Sequence, residues 1–204
     1  MESHYIHWEF FKAIEEDFKK CSRYIAFDER NLQTYSIELS RLIIDCGSYI
    51  DTLMKDLCCC LEPQVERKDY DNIKTWHAPI KGHLSHFFDL EIHMPSNGMV
   101  FTPWKEWKQV EDKIQSPFWW KYGYNQIKHH RSNNFEAACL KNALECAAGL
   151  LVLIMCYSVH VSNPKPCFDV SQHKVFIPKN LVPTFFAPVT LFCEYETIEE
   201  FYIF

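Results

Sequence analysis

The sequence predicts an all-α protein: a four-helix up-down bundle with an irregular insertion between helices 2 and 3 and an extended C-terminal tail. Three observations lead there. Apolar residues recur at three- and four-residue steps over long stretches before residue 62 and again between residues 117 and 161, as one buried helix face requires. Prolines gather in two zones, residues 63–117 and 164–188, where they interrupt any long period. Only five glycines are present, too few for a turn-rich β architecture or a phosphate-cradling loop.

The first helix is expected from Tyr5 to Tyr24, burying Phe10, Ile14, Phe18, Cys21 and Ile25, with Glu15, Glu16, Asp17, Lys19 and Lys20 on a solvated side. The polar break Asp28–Asn31 leads to a second helix, Leu32 to Leu61. Its main stripe is Tyr35, Leu39, Leu42, Cys46, Tyr49, Leu53 and Leu57. A second stripe, Ile37, Ile44 and Asp51, predicts a helix apolar on two sides and therefore central. Glu62-Pro63 ends it. The insertion, residues 62–116, is expected to hold short helices at Ile80–Phe88 and Pro103–Ile114, the latter with proline at an early helical position. A third helix spans Pro117 to Arg131. A fourth opens on a capping-box pattern, Asn133 followed by Glu136, and runs to His160 with apolar residues around most of its circumference. Gly149 in that helix would admit a close helix approach, and Asn142 needs a hydrogen-bond partner if buried. Lys174–Ile177 and Val189–Tyr195 have strand character. No internal repeat or domain boundary is visible, so residues 1–204 are read as one domain whose tail, 162–204, packs on the bundle.

At 48% hydrophobic and 16% aromatic the chain has ample material for one core. The net charge of −6 argues against a surface coated with nucleic-acid-binding cations, though not against a local basic groove. Ten cysteines invite a disulfide framework. However, Cys46, Cys139, Cys146 and Cys156 fall at core positions, where a thiol acts as a small hydrophobe, and no cationic and apolar leader pattern opens the sequence. A reduced, cytoplasmic protein is expected. The apolar run Ala147–Val161 is shorter than the ~20 residues a bilayer needs, so a buried core helix is expected and no membrane partner. His83 and His86 are three residues apart, but no Cys or carboxylate completes a ligand set at matching spacing. No metal or cofactor is expected. Nothing matches a serine nucleophile elbow, a dinucleotide fingerprint or the Glu-x-x-His pair of a di-metal bundle.

The chemistry-bearing stretch is SPFWWKYGYNQIKHHR, Ser116 to Arg131. At about 100° per residue, Lys121, Tyr124, Asn125, Lys128, His129 and Arg131 fall on one arc of a helix. On the second helix Asp51 interrupts an apolar line and Lys55 follows one turn later. The pair is either an ordinary intrahelical ion pair or a polar pair facing a cleft. Trp119, Trp120 and Tyr122 serve a core or an interface, or would stack a base if exposed.

An acidic-x3-basic pair on one helix and a polar-His motif on a later one resemble the HEPN superfamily of small α-helical domains. In its ribonuclease members an Arg and a polar residue, often Asn, precede a His. Tyr124-Asn125-Gln126-Ile127-Lys128-His129 matches the Asn and the His, with Tyr124 where the family has Arg, and Asp51-x3-Lys55 is similar to its acidic-x3-Lys/Arg element. The resemblance covers Asn31–Leu61 and Pro117–Val161. It implies metal-independent RNA cleavage, with His129 as general base or acid, since an ordinary His pKa near 6.5 suits either task. Lys128 and Arg131 would stabilise phosphate charge, Asn125 would orient His129 or the phosphate, and Asp51 and Lys55 would complete the cleft. It also implies a homodimer with a shared site. The Tyr124 replacement leaves two expectations: a non-catalytic or weakly active module that binds RNA, a nucleotide or a partner, and an endoribonuclease of toxin or phage-defence type.

Overall fold

The structure, a computed structural model, describes residues 5–108 and 116–161 and three short backbone stretches, 168–169, 174–175 and 187–188. The described residues are mostly helical.

Helix α1 (Tyr5–Cys21) buries Trp8, Phe11, Ile14, Phe18 and Cys21, a stripe of three- and four-residue steps. Phe10 is half-buried and stacks on Tyr49 of the next helix, with ring centroids 3.9 Å apart. Glu15 is not solvated as the charge pattern suggested. It is fully buried, because the stripe runs through Trp8 and Phe11 and places Glu15 beside Ile14, where Lys12 Nζ reaches it at 3.3 Å.

Helix α2 (Ile37–Leu61) starts later than the sequence suggested because a separate helical turn, Glu29–Asn31, forms first behind the cap Asp28. Ser36 caps α2, its hydroxyl accepting the Leu39 N–H at 3.1 Å. Removing that acceptor with Ser36→Ala should cost about 1 kcal/mol, read as a lower midpoint in urea. The core face is Leu39, Leu42, Ile43, Cys46, Ile50, Leu53, Met54 and Leu57. The second stripe does not go inside: Ile37 is 80% exposed, and Ile44 and Asp51 are half-buried. One broad face, not two, is what α2 buries.

Helix α5 (Leu140–Val161) is the principal partner of α2. In place of a helix starting at Asn133, a single turn at Phe135–Ala137 precedes an extended step, with an isolated bridge between Tyr35 and Cys139. The Leu140 and Lys141 N–H groups donate to the Thr34 and Leu32 carbonyls at 2.9 Å each. These bonds satisfy donors that a helix leaves free at its N-terminus, and they join the starting ends of α2 and α5. The two helices run parallel from there, with Cys146 Sγ 3.8 Å from the Ile43 carbonyl. Helix α1 runs the other way: His7 meets Tyr49 at 2.7 Å, Asp17 meets Arg41 at 2.5 Å, and Trp8 Nε1 donates to Ser158 Oγ on α5 at 3.0 Å. By length and composition Leu140–Ser158 is apolar enough to cross a membrane, and 78% of it is buried inside the fold. Cys46, Cys139, Cys146 and Cys156 are all buried, and the eight cysteines among the described residues are free thiols.

The insertion contributes to the core. Helix α3 (Ile73–His83) opens on a capping box, Asn72 with Thr75, and carries Pro79 inside it. The helical turn Ser85–Asp89 follows, then a hairpin of β1 (Ile92–Met94) and β2 (Met99–Phe101) with Gly98 at φ 74°. Of the expected helix Pro103–Ile114, a turn at Lys105–Trp107 is present and residues 109–115 lie outside those described. Strand β3 (Phe168–Asp169) pairs with β4 (Lys174–Val175), and β5 (Ala187–Pro188) pairs with β1, giving the order β2-β1-β5. The expected strand Val189–Tyr195 lies outside the described residues. Trp76, Trp104 and Trp107 are fully buried. They pack with Trp119 and Trp120 in a run of edge and tilted contacts 5.1–5.7 Å between centroids. Trp104 Nε1 donates to the Gly149 carbonyl at 3.1 Å and Trp119 Nε1 to that of Pro103 at 2.6 Å. Gly149 therefore seats a tryptophan, not a neighbouring helix: a Cβ there would lie 2.9 Å from the Trp119 ring.

Candidate functional site

The third helical segment is not one regular helix. Trp119–Tyr124 is a π-helical stretch, closed by the Asn125 N–H on the Trp120 carbonyl, and α4 (Asn125–His130) continues from it. Trp119, Trp120, Gly123 and Tyr124 all face inward. The arc drawn at regular helical spacing is split between core and solvent. Tyr124 is 1% exposed, whereas Lys121, Lys128, His129 and Arg131 are exposed and Asn125 is half-buried.

Tyr124 lies flat on α2, where Gly47 provides the room. Its hydroxyl is 3.5 Å from Ser48 Oγ and its ring contacts Trp120, with centroids 4.7 Å apart. Lys128 Nζ lies 5.1 Å from the Tyr124 ring centroid, a cation held over an aromatic face. On the same side of α2, Asp51 and Lys55 form an ion pair at 2.7 Å.

These groups wall a cleft of about 370 Å³. Asp51 comes from α2, Trp120 and Tyr124 from the π-helical stretch, and Asn125 and Lys128 from α4. The fourth side is Asp71, Asn72, Ile73 and Lys74 at the start of α3. Four of the seven residues named from the sequence meet here: Asp51, Tyr124, Asn125 and Lys128. Lys55 reaches the cleft only through Asp51. His129 and Arg131 do not line it. His129 is solvent-exposed beside His130, with ring centroids 6.3 Å apart.

The α3 side is hidden in the sequence because Pro79 interrupts its helical period. The signal that could have found it is Asn72-Ile73-Lys74-Thr75, an Asn cap with a hydroxyl three residues on. The Asn72 side chain accepts the Lys74 N–H at 2.9 Å and is hydrogen-bonded to Asp71. The cleft thus offers an amide at Asn125, cations at Lys74 and Lys128, and an apolar wall at Trp120 and Tyr124. That set is suited to a planar group with an attached anion. Among the described residues no three His, Cys, Asp or Glu side chains are placed to hold a metal ion. No protein-family model matches the chain, and no curated protein or solved structure matches it either.

Proposed function

We propose that the chain is a HEPN-like helical module that binds RNA or a nucleotide in the cleft between α2, α3 and α4, without efficient catalysis. In this reading α1, α2, the Trp119–His130 segment and α5 are the four helices of an up-down bundle. Residues 62–116 are its insertion and 162–204 its tail. The observation that carries the proposal is the cleft itself. Asn125, the Asn of the motif, and Lys128 of its spacer share it with Lys74 and with the Trp120–Tyr124 wall. Lys55 neutralises Asp51 and Asp71 offsets one of the two lysines, which leaves a single net positive charge to attract phosphate. The missing family Arg and the position of His129 outside the lining speak for binding over cleavage. The protein works in the cytoplasm as a homodimer.

A second reading, a metal-independent endoribonuclease using His129 with Lys128 and Arg131, is favoured by one observation. Lys128, His129 and Arg131 are all exposed at the end of α4, so each is open to a large substrate.

One experiment separates the two. Single-stranded and structured RNA are incubated in EDTA with the wild type, Lys128→Ala and His129→Ala, and both retention and cleavage are read across a salt series. The binding module retains uncut RNA, and Lys128→Ala weakens retention and lowers the salt slope by about one. Cutting by the wild type that His129→Ala abolishes would establish the nuclease instead. No retention and no cutting would dispose of both, and a monomer in solution would remove the shared site.

A further inference from the structure

A second cavity, about 250 Å³, opens beside the same segment, walled by Trp119 where the first is walled by Trp120. It holds an unpaired carboxylate. Glu145 projects from α5, one turn beyond Lys141 and Asn142, and its Oε2 is buried with no hydrogen-bond partner. Burial pushes its pKa up to about 7, Lys141 partly opposes the rise and Glu106 adds to it. Neighbouring polar groups are already engaged. Glu106 Oε2 accepts the Phe118 N–H at 2.9 Å, and Asn142 Nδ2 donates to the Ala137 carbonyl at 2.9 Å. Buried polar atoms are nearly always satisfied. An acceptor left over in the wall of a cavity is therefore a place for a ligand's donor.

The surroundings narrow the ligand. A carboxylate takes two parallel N–H donors best when they lie in one plane, and both guanine (N1–H and N2–H) and a guanidinium present such an edge. Lys105 and Lys141 line the same cavity. Both are exposed, and Lys141 Nζ lies 5.6 Å from the Phe118 ring centroid. Their charge balances that of Glu106 and Glu145 in the cavity wall. With Glu106 already engaged by the Phe118 N–H, the two lysines are left to meet a phosphate, which favours the neutral base with an attached phosphate. Cytosine offers a single exocyclic amine there, and adenine an amine beside an acceptor. The cavity is smaller than the ~300 Å³ of a typical small-molecule site, which suits a base inside and its phosphate outside.

We propose that this cavity is a guanine-nucleotide site in which the Glu145 carboxylate accepts the N1–H and N2–H of the base. Phe118 and Trp119 flank the base, and Lys105 and Lys141 face the phosphate. The inference rests on the nucleotide-binding reading above for its ligand class only, because it concerns a different cavity.

The test is calorimetric titration of the full chain with 5′-GMP, guanosine, AMP, CMP and arginine amide. GMP should bind at least tenfold more tightly than AMP or CMP, a ratio expected of one good bidentate contact. Glu145→Gln, which keeps the shape but presents one acceptor and one donor, should remove that preference. Lys141→Ala should weaken GMP several-fold and leave guanosine unchanged, which decides the matter even if Glu145→Gln folds poorly. Equal affinity for the three nucleotides would overturn the proposal, as would GMP binding untouched by both variants or binding of arginine amide alone. If GMP binding instead responds to Lys128→Ala, the α2–α3–α4 cleft is the site. The general reading then stands and this one falls.

Discussion

Replacing Gly47 by alanine is expected to lower stability by about 3 kcal/mol or more, at the upper end of what overpacking costs. A Cβ built on Gly47 would lie 2.1 Å from Tyr124 Cδ2 and 2.5 Å from both Cγ and Cε2. Three ring atoms cannot be cleared by a small adjustment. Trp120 bounds the ring on one side and Lys128 covers its face, so the segment from Trp119 to His130 must move away from α2. For a chain of this length the midpoint of thermal unfolding should fall by roughly 6–12 °C. Tyr124→Ala in the Gly47→Ala background should recover part of the loss, because the clash belongs to the pair. A Gly47→Ala protein melting within a degree of the wild type would mean that the helix and the ring are not in contact. The cleft would then lack its Tyr124 wall.

The second large effect is a change in pH dependence at Glu145. Its carboxyl titrates near 7 in the fold against an ordinary 4.5, chiefly because burial penalises the charged form, with Lys141 lowering it and Glu106 raising it. A carboxyl whose folded pKa is raised favours the fold while it is protonated. That contribution is fully present below about pH 4.5 and is lost as pH climbs through 7. At about 1.4 kcal/mol per pH unit, the loss approaches about 3 kcal/mol as an upper bound. Glu145→Gln cannot ionise. The stability of the variant relative to the wild type should therefore rise by roughly this amount between pH 4.5 and pH 8.5, as followed by urea unfolding. Parallel pH profiles for the two proteins would show that Glu145 is hydrated and that the carboxylate is not an orphan.

The helices themselves were legible because each buries one face. Phe18, Leu42, Leu53 and Leu57 went inside as their spacing required. Two kinds of feature were not legible. The winding of Trp119–Tyr124 depends on where Gly47 and Gly149 leave room for rings, information held in residues some thirty to eighty positions away. Tyr124 and His129 stand toward opposite ends of the arc drawn at about 100° per residue, and the fold buries Tyr124 against Gly47 while His129 stays exposed. The insertion hid for a different reason. Pro79, Pro95 and Gly98 look like simple interruptions, yet one is tolerated inside α3 and the others shape the β1–β2 turn. Of the candidate site, Asp51, Asn125 and Lys128 could be found from spacing. Their partner Lys74 could be found only by taking Asn72 and Thr75 as a helix start.

The joined ends of α2 and α5 also set the order in which the chain can fold. Ile43 and Cys146 touch although 103 residues separate them. The core therefore depends on long-range closure, the topology that slows folding most. During synthesis at about 5–20 residues per second, the apolar face of α2 waits for roughly 5–20 s before its partner helix exists. Through that interval Leu42, Ile43, Cys46 and Ile50 have only α1 and the insertion to shelter them. A chain interrupted before Leu140 exposes this face permanently, so aggregation, not partial function, is the expected fate of such a fragment.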